Sequence, residues 1–123
     1  PITIFGDGTQ TRSFCYIDDL IEGIFLASTL DNLSGEVINL GNPQEITVLK
    51  LAQIVAKLTE TSSTFIYKQI PIDDPIRRRP DISKAKKLMD WNPKVPLYEG
   101  LNSTLEYFQS ERPLIKNAPD DAK

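Results

Sequence analysis

Three consecutive guanidiniums, Arg77-Arg78-Arg79, interrupt a chain of 123 residues whose formal net charge is −3. Each guanidinium presents a planar fork of donors that fits a phosphate or a carboxylate. Asp73-Asp74-Pro75 precedes the run, and Pro80-Asp81-Ile82-Ser83-Lys84-Ala85 follows it. The run lies on a connection between a strand-like segment and a helix start. Two readings stand. One is a connection that holds an anion. The other is a solvated charge run paired with Asp73 and Asp74, and from the run alone it is the stronger.

Two more positions can join such a site. In Thr11-Arg12-Ser13-Phe14-Cys15-Tyr16 the alternation puts Arg12 on a face with Phe14 and Tyr16. Arg12 is then either an edge-strand side chain reaching for water or an arginine held at a pocket rim, and the two readings are even. Asn39 lies inside Glu36-Val37-Ile38-Asn39-Leu40, where its amide can meet a ligand at a strand end. Asn42, by contrast, reads as a turn residue.

The elements needed to hold these groups follow from the pattern. Ile2–Phe5 is β-branched and aromatic and reads as a strand. Gly6-Asp7-Gly8 supplies a turn. Thr11–Tyr16 and Glu36–Leu40 read as further strands. Asp18 and Asp19 open a helix to Thr29, with Ile17, Leu20, Ile21, Ile24 and Phe25 forming an expected buried stripe. Gly23 within it calls for a close packing partner. Thr47 is an N-cap for a helix to Leu58, and Thr64–Lys68 reads as a strand. Asp81 is an N-cap for Ile82–Met89, and Trp91 is a core plug with its indole N–H satisfied locally. A last helix starts after Pro96 and is expected to reach Gln109. Residues 1–110 form one unit, and 111–123 are expected to be a polar tail. Pro71, Pro75 and Pro80 stiffen the path through the arginines. The expected order β, β, α, β, α, β, α, α is a small α/β layer arrangement, and ligands gather at strand ends in such sheets.

Composition narrows the function. The chain is 40% hydrophobic and 25% charged, ordinary for a globular domain. Its acidic balance argues against a general nucleic-acid or membrane-surface binder. It has one cysteine, Cys15, and no histidine. No internal disulfide can form, so nothing points to secretion, and a cytoplasmic setting is the expectation. The commonest general base and metal ligand is missing, and no metal site is expected. No apolar run is long enough to span a bilayer. The opening strand suggests that Pro1 is not a natural start.

At this point the residues match a known pattern. Ile4-Phe5-Gly6-Asp7-Gly8-Thr9-Gln10-Thr11-Arg12-Ser13-Phe14-Cys15-Tyr16-Ile17-Asp18-Asp19-Leu20 resembles the start of the carboxy-terminal half of extended short-chain dehydrogenase/reductases acting on nucleotide sugars. Asn39-Leu40-Gly41-Asn42, then Asp74 to Ala85, then Trp91-Asn92-Pro93 follow at that family's spacing. The combination is specific, although each piece alone is weak. Thr-Arg-Ser-Phe, Asn-Leu-Gly-Asn-Pro with Glu45 and Thr47, and Asp-Asp-Pro are most similar to the branch that decarboxylates UDP-glucuronate to UDP-xylose. Alternatives are a dTDP-glucose dehydratase, a UDP-sugar epimerase, or a non-catalytic nucleotide-sugar-binding or structural domain.

The resemblance implies the fold, a substrate-binding subdomain with a small mixed sheet and helices. It implies that Arg12 and an arginine of the run contact the nucleotide diphosphate, with Arg77 first, Arg78 second and Arg79 solvated. Asn39 is implied near the same nucleotide, and Asp74 at its ribose hydroxyls. It implies NAD as cofactor, bound by an amino-terminal Rossmann half, and a homodimeric parent. No Gly-x-x-Gly-x-x-Gly occurs in this sequence. The residues four after Tyr16, Tyr67, Tyr98 and Tyr107 are Leu20, Pro71, Asn102 and Glu111, so no Tyr-x-x-x-Lys pair occurs either. These residues are expected to bind substrate and not to do the chemistry.

Overall fold

The computed structural model describes residues 1–115. The chain runs β1 (Ile2–Phe5), β2 (Thr11–Ser13), α1 (Ile17–Thr29), β3 (Glu45–Thr47), α2 (Val48–Leu58), β4 (Phe65–Lys68), β5 (Arg77–Arg78), α3 (Ser83–Met89) and α4 (Leu97–Ile115). β1 and β4 form a two-stranded parallel sheet, and β2 is the centre of a mixed sheet ordered β3-β2-β5. Gly6 and Gly8 make the turn between β1 and β2 with positive φ. A Cβ on Gly8 would stand 2.8 Å from Leu49 Cβ, so α2 can approach there only against glycine.

The core is Leu33, Ile82, Ala85, Met89 and Trp91, with Cys15, Leu26, Ile38 and Leu40 packed around it. Trp91 is 1% exposed. Its Nε1 donates to the carbonyl of Asp19 at 3.0 Å, as the expected core plug requires. The Asp19 carboxylate, itself buried, accepts from the N–H groups of Lys94 and Val95 at 3.0 and 2.9 Å. One residue thus ties α1 to the segment between α3 and α4. Gly23, one turn on, faces the same way. A Cβ there would lie 3.0 Å from Leu40 and from Trp91, which is the close packing its sequence called for.

Four sequence expectations need correction. First, α1 does not bury Ile17, Ile21, Ile24 and Phe25. Phe25 is 63% exposed and the others more than half. Residues 19, 23 and 26 share one side of a helix, and 17, 21 and 24 the opposite side. The inward side is the one fixed by Asp19, so the apolar stripe faces out. Second, Glu36–Leu40 is extended but pairs with no strand among the described residues. Ile38 and Leu40 still pack on the core, so the alternation is real while the ladder is absent. Lys84 Nζ donates to the carbonyl of Val37 at 3.0 Å and pairs with Glu36. The strand of this region is β3 instead, antiparallel to β2. Third, β2 ends at Ser13, short of Tyr16, because its neighbours β3 and β5 pair with only Thr11 to Ser13. Fourth, α4 continues past Gln109 to Ile115, so the expected tail boundary at 111 falls inside a helix. Residues 116–123 lie outside the described residues.

The caps behave as their residue types require. Thr47 accepts from Lys50 N at 3.2 Å, and Asp81 accepts from Ser83 N at 2.9 Å, one residue before the assigned helix cap. Asn42 Oδ1 accepts from Gln44 N at 2.9 Å, a local turn. No described helix is long and apolar enough to cross a membrane.

The β3-β2-β5 sheet carries its own staple. Glu45 accepts from Thr11 Oγ1 at 2.7 Å and, through both oxygens, from Arg77 Nε at 2.7 and 2.9 Å. Arg77 Nη2 also binds it. These bonds, Arg77 first and Thr11 second, hold the Glu45 carboxyl down to about 2.

Two outcomes are expected. Gly23→Val forces a side chain into Leu40 and Trp91 and lowers unfolding free energy by about 1–3 kcal/mol. Asp19→Ala strands two backbone donors and lowers it by about 1.5–3 kcal/mol. Urea titration followed by tryptophan fluorescence reads both. The staple has a pH signature. An unfolded glutamate titrates near 4.5, above the folded value, so the staple's contribution is complete above that pH and is lost as pH falls toward about 2. Urea midpoints of the unaltered chain should fall across this window, and Glu45→Gln should flatten the decline.

Candidate functional site

The arginine run is not a free connection. Its first two residues are β5, parallel to β2, with Thr11 opposite Arg77 and Arg12 opposite Arg78. Paired residues of adjacent strands share a face, and successive residues alternate. Arg12 and Arg78 therefore lie side by side on one face. Thr11, Arg77 and Glu45 occupy the other.

The arginines differ in what they can still hold. Arg77 is gripped by Glu45 and its own pKa is pushed up by that hydrogen bond. Arg79 Nη1 lies 3.8 Å from the same carboxylate. Arg12 is half-buried; its Nη2 meets Asp74 Oδ1 at 2.5 Å and its Nη1 donates to the Thr11 carbonyl at 2.7 Å. Bonds to Asp74 and to the Thr11 carbonyl hold Arg12 at the sheet face, where it does not reach freely for water. Arg78 is exposed and makes no ion pair among the described residues. The pairing of the run with Asp73 and Asp74 does not occur: Asp74 takes Arg12, and Glu45 takes Arg77.

Asn39 reaches the same region from the unpaired extended segment. Its Nδ2 lies 3.4 Å from the Asp81 carbonyl, three residues beyond Arg78. An open cleft of about 500 Å³ runs between these segments, lined by Ser13, Leu40, Gly41, Asn42, Arg78 and Pro80 among others. Gly41 narrows its floor, since a Cβ there would stand 2.9 Å from Pro80. A second cleft of about 460 Å³ adjoins it at Arg79 and Pro80 and holds Asp81 and Lys86. The Asp81 carboxyl is held below its usual range by hydrogen bonds from Ser83. Of the five residues singled out, Arg12 and Asp74 meet in an ion pair, Arg78 lies beside Arg12 by strand register, Asn39 meets the Asp81 carbonyl, and Arg77 is turned to the opposite face; of the five, Arg78 lines the cleft. Sequence reasoning passed over the structural part of Glu45, which only strand register reveals.

The arrangement can bind a doubly charged diphosphate and orient what is attached to it. The glycine turn after β1 leads into β2, not to a helix N-terminus. No group of histidine, cysteine and carboxylates suited to a metal occurs among the described residues.

The chain is similar to several known proteins. The NAD dependent epimerase/dehydratase family matches residues 1–41. UDP-glucuronic acid decarboxylase 1 of Danio rerio is 46% identical over 110 residues, covering 89% of this chain and 26% of that protein. UDP-glucuronic acid decarboxylase 1 of Arabidopsis thaliana is also 46% identical, over 89% of this chain and 25% of its own length. The chain therefore spans about a quarter of the curated relatives it matches. Among solved structures, UDP-glucuronic acid 4-epimerase from Bacillus cereus, in complex with UDP-glucuronic acid and NAD, superposes with a TM-score of 0.82 at 39% identity, covering 89% of this chain and 35% of that one. An epimerase from Methanothermobacter thermautotrophicus superposes with a TM-score of 0.91 at 33% identity, over 96% of this chain and 35% of that one. The α/β architecture and the strand that carries Arg12 are those of this group, and the chain belongs to the NAD dependent epimerase/dehydratase family.

Proposed function

We propose that this chain is the UDP-sugar-binding portion of an NAD-dependent UDP-glucuronate decarboxylase, which converts UDP-glucuronate to UDP-xylose. The observation that carries it is the placement of Arg12 and Arg78 side by side on one sheet face, in a chain 46% identical to decarboxylases of that name. A nucleoside diphosphate carries two phosphates, and two guanidinium forks from separate strands can clamp them. Arg12 and Arg78 form that clamp in this reading, and Arg77 supports it from behind. Asp74 uses one oxygen on Arg12 and keeps Oδ2 for a ribose hydroxyl. Asn39 borders the nucleotide.

The chain's part in catalysis is binding and orientation. Holding the remote nucleotide fixes the sugar over a nicotinamide and lowers the entropy cost of reaction. NAD, when bound, accepts and returns the hydride. Its cradle and the Tyr-x-x-x-Lys pair belong to a Rossmann half outside these residues, and the 123-residue chain alone is inactive. The outward apolar stripe of α1 supports that division. Ile17, Ile21, Ile24 and Phe25 form an apolar face on the surface of this chain, and the missing half is what covers it.

The similarity to the Bacillus cereus epimerase favours a second reading, a UDP-sugar epimerase that uses the same clamp. Product analysis separates the two: release of carbon dioxide and UDP-xylose from UDP-glucuronate supports the first, and its C4 epimer supports the second.

Two measurements test the proposal. Titration calorimetry of the full-length protein should show UDP-glucuronate binding more tightly than dTDP-glucose, and Arg12→Ala and Arg78→Ala should each weaken UDP binding by about 1.5–3 kcal/mol. No binding of any of these ligands would sink the reading, and would leave a structural domain in its place. In the full-length protein Phe25→Lys should lower stability by about 1.5–3 kcal/mol, the value of one buried aromatic. In the 123-residue chain, where Phe25 is exposed, thermal unfolding should be nearly unchanged. Equal effects in both would remove the covered face from the argument.

A further inference from the structure

β5 is two residues long, and its neighbours in sequence make its position ambiguous. Three arginines in a row mean that sliding the segment by one residue still sets an arginine beside Arg12. Such a slip exchanges the faces of every side chain. It would also move the flanking Pro80, which already stands against Gly41. Short ladders resist slippage poorly. Beyond its own ladder, β5 is held by Thr11 N to the Ile76 carbonyl at 2.9 Å and by Ser13 Oγ to the Arg78 carbonyl at 3.2 Å. Neither bond distinguishes one arginine side chain from the next.

Glu45 does. It stands on β3 opposite Ser13, and Thr11 of β2 binds its Oε1 at 2.7 Å. The carboxylate is therefore fixed relative to the strand that carries Arg12. It then takes Arg77 by Nε and Nη2 together. A two-point grip accepts one guanidinium in one orientation. With Arg77 held on that face, Arg78 must lie on the other.

We propose that Glu45 is a positioning residue of the diphosphate site: by gripping Arg77 it blocks the slip of β5 that would set Arg77 beside Arg12, and so keeps Arg78 there. The inference rests on the UDP-sugar reading above and names the device that builds its clamp. Glu45 touches no ligand in this scheme. It acts through Arg77 on the placement of Arg78, and the run of three arginines becomes one support, one ligand contact and one flanking charge.

The test is a double-mutant cycle read by UDP affinity in the full-length protein. Glu45→Gln should raise the UDP dissociation constant about fivefold, the scale of a contact coupling. In an Arg78→Ala background the same change should have no effect, because the residue it positions is gone. Arg77→Lys keeps the charge but loses the two-point grip, and should reproduce both results if the Glu45 variant folds poorly. Thr11→Val, which removes only the hydroxyl bond, controls for loss of sheet stability by its thermal midpoint. A fivefold loss in both backgrounds would make Glu45 a general structural residue and overturn the proposal, as would no loss in either. If the unaltered protein does not bind UDP, the functional reading fails and this inference with it. If Arg78→Ala weakens UDP binding while Glu45→Gln leaves it unchanged, the reading stands and only the inference falls.

Discussion

Asp19 is the point through which this fold is drawn together. Its carboxylate collects the N–H groups of Lys94 and Val95, and its carbonyl collects the indole of Trp91. A buried carboxylate costs free energy unless its lone pairs are filled, so these contacts are mutually required. They set the roll of α1 about its axis. With Asp19 inward, Gly23 and Leu26 must also be inward. The missing side chain at Gly23 then lets Trp91 and Leu40 close on the helix. Leu40 and Gly41 line the open cleft together with Leu20, the neighbour of Asp19, so the wall of that cleft depends on how Asp19 seats α1.

The three-stranded sheet divides labour between its faces. One face carries a saturated ion-pair network, Glu45 with Thr11 and Arg77. The other carries Arg12, held by Asp74, beside Arg78, which is unpaired among the described residues. The first is a closed ion-pair staple; on the second, Arg12 is also paired, and Arg78 keeps an unpaired charge among the described residues.

Much of this was legible in the residues. β1, the glycine turn, α2, Trp91 and the need for a small residue at Gly23 follow from local chemistry, and each stands where the pattern puts it. What was not legible depends on partners far away in sequence. Ile17, Ile21, Ile24 and Phe25 have helical periodicity, and periodicity says that a face is apolar, not that this chain covers it. Val37 to Leu40 has strand chemistry, but a strand also needs a neighbour. Among the arginines, residue types alone do not say which face each takes; that required the β2–β5 register, which no single-strand pattern encodes.

The contact of Lys84 with Val37 bears on solubility. An extended segment with open backbone groups and alternating apolar side chains is a template for another copy of itself. Here an ammonium on α3 occupies one of its carbonyls and pairs with Glu36 at its start. Any incoming strand must first displace a charge. Pairing of this segment with another copy therefore carries an electrostatic cost set by Lys84 and Glu36.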